Sequence, residues 1–216
     1  MTPAELSPYI DPASPVVAAA RAAQASGSFG GDSLRLLERA HELDLAVYRA
    51  VAQHHSPLLD KLLPSLSRAA DNSKLWVAVA AVLAVSGGAR GRRAAVHGLS
   101  AVALTSALTN GPLKGLLRRA RPDAASVPER RRRPMPATSS FPSGHSASAL
   151  AFATGVSIAM PAVAPIVITL AAGVAVSRTY VGVHYPGDVL GGCLIGVIMG
   201  AALSPLRVSR GEQARA

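Results

Sequence analysis

Cysteine, aromatic residues and acidic charge are all scarce in this chain, and each shortage closes off some readings. Cys193 is the only cysteine among 216 residues, so no intrachain disulfide can form. It sits in an apolar run, where a thiol serves as a small buried hydrophobe. Aromatic residues make up 4% of the sequence and do not interleave with its basic clusters, which removes the stacking platform of a nucleic-acid binder. No carboxylate cluster suggests a metal site, so no metal and no cofactor are expected. The opening MTPAELSPYI has no basic region followed by an apolar core, so the pattern of a cleavable signal peptide is missing. Membrane insertion would have to rely on later apolar segments.

What the chain has instead is uncharged apolar sequence. Half of its residues are hydrophobic, and the mean hydropathy is +0.31. A soluble domain of this length rarely leaves so many apolar residues in uncharged runs, so a membrane protein is expected. Lys and Arg number 22 against 12 Asp and Glu, a formal net charge of +10. Much of that excess lies in two arginine clusters beside apolar segments. Anionic lipid headgroups and a phosphorylated ligand account for it more simply than nucleic acid does.

Residues 1–30 are rich in Pro, Ala, Ser and Gly without a sustained period, the composition of a mobile tail. From Asp32 onward Leu34, Leu37, Leu45, Val47 and Val51 alternate with Arg35, Glu38, Arg39, Glu42 and Asp44. That spacing predicts an amphipathic helix, N-capped by Asp32 or Ser33, too charged to cross a bilayer. A second amphipathic piece, Leu58–Ala70, follows Pro57, so residues 31–74 read as interfacial helices. His41, His54 and His55 read as polar-face residues. A membrane core at 75–206 follows, with spans at Leu75–Ala89, Ala94–Leu113, two between His145 and Arg178, and Val189–Leu206. Pro161 and Pro165 divide the long run into a hairpin of helices. Residues 207–216 form a basic tail. The expected fold is therefore all-α, a polytopic bundle of about five transmembrane helices with an N-terminal interfacial helix. Small residues such as GVIMG at Gly196–Gly200 imply close helix packing within the bundle, with a homo-oligomer as the weaker alternative.

Five crossings place the loops after spans two and four on the same side, and those loops carry the chemistry. Lys114, Arg121 and Arg178 supply positive charge, the arginines in bidentate fashion, where phosphoryl oxygens would need it. Ser143 and Gly144 sit where span three begins; a helix N-terminus there aims free N–H groups at an anion, and Ser143 can add a hydroxyl donor. Of the two histidines His145 and His184, one can attack phosphorus while the other protonates the leaving alkoxide and later activates water. Asp188, four residues beyond His184, can hold one ring nitrogen. Arg118 and Arg119 read as anchors at a span end.

Three motifs in order carry a resemblance. Lys114-x6-Arg121-Pro122, Pro142-Ser143-Gly144-His145 and Ser177-Arg178-x5-His184-x3-Asp188 match the pattern of the type 2 phosphatidic acid phosphatase, or lipid phosphate phosphatase, superfamily. The resemblance covers about residues 75–206. It implies a nucleophilic His184 oriented by Asp188, a general acid at His145, and a phosphate pocket of Lys114, Arg121, Ser143, Gly144 and Arg178. It also implies metal-free hydrolysis of a phosphorylated lipid. The superfamily includes soluble acid phosphatases and vanadate-dependent haloperoxidases, which share the cradle; the apolar spans favour the lipid branch. A non-enzymatic membrane bundle would require altered motif positions, and none is altered. Candidate lipids are phosphatidic acid, phosphatidylglycerol phosphate, polyprenyl pyrophosphate and phosphorylated polyprenyl-linked sugars. Heavy Ala and Arg usage hints at a high-GC bacterium, hence a bacterial plasma membrane, and for a wall-building actinobacterium a polyprenyl-phosphoribose phosphate becomes a candidate.

The Lys and Arg outside the site side and the N-terminal region are Arg90, Arg92, Arg93, Arg207, Arg210 and Arg215. The positive-inside rule then puts the site at the cytoplasmic face. The run Arg130–Arg133, outside every motif, is expected to recruit anionic lipid headgroups.

Overall fold

The computed structural model describes residues 31–203; their regular elements are helices, with no strand among the described residues. The expected tails at 1–30 and 207–216 lie outside the described residues, as does the end of the fifth span candidate. Helix α1 runs Gly31–Gln53 and α2 Pro57–Ala69. A bent turn leads to α3, Lys74–Ser86, and α4, Gly88–Leu108. After a long loop come α5, Gly144–Ala159, α6, Ala164–Tyr180, and α7, Pro186–Ala202.

Local chemistry sets most of these boundaries. Ser56 caps α2, its hydroxyl accepting from the Leu59 N–H at 3.4 Å, and Pro57 takes the first position, where no N–H is required. Met160–Val163 interrupts α5 and α6, with Pro161 opening a tight turn as the proline spacing implied. Two boundaries differ from the sequence expectation. Asp32 and Ser33, the expected caps, fall within α1 as it is described, Gly31–Gln53. The first span does not reach Ala89, because Gly87 and Gly88 turn the chain there. Arg90, Arg92 and Arg93 then belong to the first turns of α4 instead of an inter-span loop.

Helix α5 is the axis of the bundle, with α7, α4 and α6 packed around it. It is made largely of small residues, and Ala147, Ala149, Ala151, Phe152, Ala153 and Val156 are fully buried. Helix α7 lies so close that a Cβ at Gly196 would stand 2.3 Å from the Ala147 carbonyl oxygen. Gly192 and Gly200 meet the Ser143 and Ala151 carbonyls in the same way. The small-residue stripe is thus consumed within the bundle, the first of the two packings it allowed. On the other flank Trp76 of α3 packs against Phe152, ring centroids 5.1 Å apart.

The outer surface stays apolar. Val82 and Val85 on α3, Ile166 on α6, and Leu190, Leu194 and Ile198 on α7 are exposed. By length and hydropathy, Pro161–Tyr180 is the one single helix among the described residues long and apolar enough to cross a membrane. Helices α2 and α3 pass the same test only as a pair bent by 66°.

The arginine run is not a free lure for headgroups. Arg130 and Arg131 both donate to Asp60 of α2, and the buried Arg131 guanidinium lies 4.2 Å from the Tyr180 ring centroid. Tyr180 donates its hydroxyl to the same carboxylate at 2.6 Å. Arg132 donates to the Val127 carbonyl at 3.0 Å, and Arg133 pairs with Asp71. Partly desolvated acids attract these cations more strongly than a hydrated surface would. The run therefore clasps the long loop to α2 and α6.

Replacing Gly196 by alanine forces a methyl group into the α5 backbone. It should cost about 1–3 kcal/mol by overpacking. Gly115→Ala, where a Cβ would meet no atom within 4 Å, should be nearly neutral. Thermal unfolding in detergent measures both; equal melting temperatures for the two variants would contradict the packing described.

Candidate active site

Asp188 is fully buried in the first turn of α7 and gathers donors from three directions. Ser140 Oγ donates at 2.5 Å, the Tyr185 N–H at 2.9 Å and Arg119 Nη1 at 2.7 Å. A carboxylate removed from water needs this many partners. Arg119 is held in turn by Asp44 of α1 at 2.5 Å and lies 4.5 Å from the Tyr185 ring centroid. Asp44 also accepts the Gly187 N–H at 2.6 Å, which fixes the start of α7. Arg119 is therefore an internal counter-charge, not a span-end anchor.

His184, in the short loop between α6 and α7, is 2% exposed. Its Nε2 lies 3.2 Å from Arg121 Nη1, and its Nδ1 lies 3.6 Å from Asp188 Oδ2. A guanidinium only donates, so Nε2 must be the acceptor and the proton of a neutral ring sits on Nδ1, toward the carboxylate. Burial, reinforced by Arg121 and opposed by Asp188, pushes the His184 pKa down to about 4, so the ring is neutral at neutral pH. Arg121 is itself aimed by three carbonyls, those of Thr138 at 2.9 Å, Val183 at 2.8 Å and Ser139 at 3.1 Å.

A cavity of about 460 Å³ opens in front of His184. Lys114, Arg121, Gly144, His145, Arg178 and His184 all line it. Six of the eight residues singled out from the sequence thus line one cavity, and Asp188 stands directly behind His184. Ser143 does not reach the cavity. It is buried as the N-cap of α5, its Oγ accepting from the Ser146 N–H at 3.4 Å. The helix start it caps still presents first-turn N–H groups at Gly144 and His145. A side chain at position 144 would collide with Asn110, whose Oδ1 would stand 2.8 Å from the Cβ.

The cations crowd one another. Burial, then Arg121 and Arg178, push the Lys114 pKa down to about 8. Arg178 donates from Nη1 to Ser67 at 2.5 Å, and its buried Nε has no partner among the described residues. Lys114 and Arg178 keep spare donors, Arg121 adds its charge, and the three together suit an anion of several oxygens. His145, across the cavity, places Nε2 3.1 Å from Asp71 Oδ1. A wider cavity of about 710 Å³ adjoins, sharing Lys114 and Arg121 and bordered by Arg118 and Met135. Among the described residues no group of three or more His, Cys, Asp or Glu could hold a metal ion.

Sequence reasoning missed Asp44, Asp71, Arg119 and Ser140. Ser140 lies just before the Pro142–His145 motif, a hint that its hydroxyl serves the site. The two acids carry no local signal, because their partners lie far along the chain.

An all-helical bundle with a histidine–carboxylate pair and a cationic cavity at one end defines the class. The PAP2 superfamily profile matches residues 94–211, and the chain belongs to that superfamily. Two solved structures share the fold. The transmembrane PAP2-type phosphatidylglycerolphosphate phosphatase of Bacillus subtilis is 23% identical, with a TM-score of 0.54 over 76% of this chain and 84% of that one. LpxE of Aquifex aeolicus is 22% identical, with a TM-score of 0.51 over 74% and 94% of the two chains. No curated protein matches the chain in sequence.

Arg119→Ala would leave the buried Asp188 beside Asp44 without their shared cation. Breaking such a pair costs about 3–5 kcal/mol, whereas Arg118→Ala at an exposed position should change stability by no more than about 0.5 kcal/mol. Chemical denaturation in micelles would compare them. A silent Arg119→Ala would contradict the ion-pair chain.

Proposed function

We propose that the protein is an integral-membrane phosphatase that hydrolyses a lipid-linked phosphomonoester or pyrophosphate through a phosphohistidine on His184. The observation that carries this reading is the Arg121–His184–Asp188 arrangement. It leaves a neutral ring at the cavity wall whose Nε2 accepts from Arg121, with the Nδ1 proton directed to a buried carboxylate. The exposed apolar faces of α3, α6 and α7 support a bilayer setting, with residues 75–206 as the membrane core and α1 and α2 at the interface. The Bacillus subtilis relative, itself a phosphatidylglycerolphosphate phosphatase, supports a lipid substrate.

The reaction runs in two displacements. Lys114, Arg121 and Arg178 hold the phosphoryl oxygens, helped by the N–H groups at the start of α5. Nε2 of His184 attacks phosphorus, the bond to the leaving oxygen breaks, and His145 passes a proton to that oxygen. Asp188 stabilises the positive charge that develops on the His184 ring. Water then attacks the phosphohistidine as His145 takes its proton, and phosphate leaves with His184 restored. The adjoining cavity gives the rest of the headgroup room. Polyprenyl phosphates and glycerolipid phosphates are the candidate substrates, and the distribution of Lys and Arg favours a cytoplasmic site face.

Phosphate release from purified protein in mixed micelles tests the reading. Lipid phosphates should be hydrolysed, vanadate should inhibit by mimicking five-coordinate phosphorus, and EDTA should have no effect. Activity confined to soluble phosphomonoesters, or dependent on an added divalent ion, would contradict it. Lys114 is cationic only below about pH 8, so kcat/KM should fall as pH rises through that value. Lys114→Gln should lower kcat/KM at neutral pH and erase this alkaline limb; an unchanged limb would remove Lys114 from the phosphate site.

A further inference from the structure

Asp71 lies upstream of the residues that match the superfamily and outside all three motifs, yet it touches the site. It opens the three-residue turn Asp71–Ser73 between α2 and α3. Asn72 and Ser73 both adopt positive φ, 53° and 60°, in a region that residues other than glycine rarely occupy. Consecutive residues held there store strain, which persists only where surrounding contacts enforce it. The turn projects Asp71 toward the cavity, where one carboxylate oxygen takes Arg133 and the other faces His145 Nε2 at 3.1 Å.

His145 stands among cations. Arg178 lines the same cavity, and Arg133 reaches the same carboxylate. A histidine that must carry a proton in such company needs a counter-charge. Asp188 cannot provide it, because Ser140, Arg119, the Tyr185 N–H and His184 already claim its oxygens. Asp71 is the carboxylate within hydrogen-bond reach of His145.

We propose that Asp71, fixed by Arg133 and the left-handed turn, is a positioning residue that holds His145 by its Nε2–H and keeps the acid poised opposite His184. The inference rests on the proposed phosphatase reading. Each histidine then has its own carboxylate: Asp188 behind the nucleophile and Asp71 beside the acid. The proton that His145 gives to the leaving oxygen in the first displacement returns from water in the second, and Asp71 keeps its negative charge throughout. Arg133 thereby links the arginine-rich loop to the chemistry without touching substrate.

A leaving-group comparison tests this. Wild type, His145→Ala, Asp71→Asn and Arg133→Gln are assayed on a lipid alkyl phosphate and on p-nitrophenyl phosphate, whose leaving group scarcely needs a proton. His145→Ala should lose about 10²–10⁴-fold on the alkyl substrate and far less on the aryl one. Asp71→Asn should show the same asymmetry at about 10–100-fold, by analogy with the loss of a partner that orients a metal-bound histidine. Asp71→Asn combined with His145→Ala should be no worse than His145→Ala alone, and Asp71→Glu should recover part of the alkyl activity. Equal losses on both substrates for Asp71→Asn, with the asymmetry retained in His145→Ala, would make Asp71 a fold element only and overturn the proposal. Equal losses for His145→Ala itself would overturn the acid assignment and the proposal with it. If Asp71→Asn fails to fold, Asp71→Glu and Arg133→Gln carry the same comparison. Full alkyl activity in both would also overturn it.

Discussion

The burial of one carboxylate organises this molecule. Asp188 is cut off from water at the first turn of α7, and an ionised group in that position is tolerable only with several good donors. Those donors come from the long loop, through Arg119 and Ser140, and from the Tyr185 backbone. Arg119 then requires a second acid, and Asp44 brings α1 against the start of α7. An N-terminal helix outside every motif is thereby tied through two ion pairs to Asp188, the carboxylate beside His184.

The bundle supplies the tolerance this network needs. Alanine, glycine and serine along α5 and α7 let two backbones approach more closely than larger side chains allow. Close approach brings the cap of α5 to the first turn of α7, where the Ser143 N–H donates to the Asp188 carbonyl at 3.0 Å. The two histidines therefore open from two helix starts that are bonded to each other. The clasp of Arg130, Arg131 and Arg133 onto Asp60 and Asp71 fixes the outer edge of the same loop.

Much of the site was legible in the sequence because charged residues at the ends of uncharged runs stand out, and their spacing repeats a known pattern. Counting crossings led to the expectation of Lys114, Arg121, His145 and His184 on one face, and the structure gathers these four residues into one cavity. The misreadings have physical causes. Arg119 looks like any arginine at a span end, and only the three-dimensional fold shows an acid on each side of it. Asp44 and Asp71 lie in segments whose local pattern is merely amphipathic, and their partners are about 60 residues or more downstream. The arginine run reads as a cluster that recruits anionic headgroups, since a partner such as Asp60 leaves no mark on the run itself. Ser143 sits in a motif, but its hydroxyl answers to the helix it caps.

The central claim is that His184 becomes covalently phosphorylated through Nε2, with Arg121 and Asp188 fixing the tautomer that exposes this nitrogen. Rapid acid-free quenching of the enzyme with ³²P-labelled lipid phosphate, followed by peptide mapping, tests it most directly. The account predicts an acid-labile, base-stable phosphoramidate on the peptide containing His184. Label on any other residue, or turnover with no labelled enzyme at times shorter than one catalytic cycle, would contradict it.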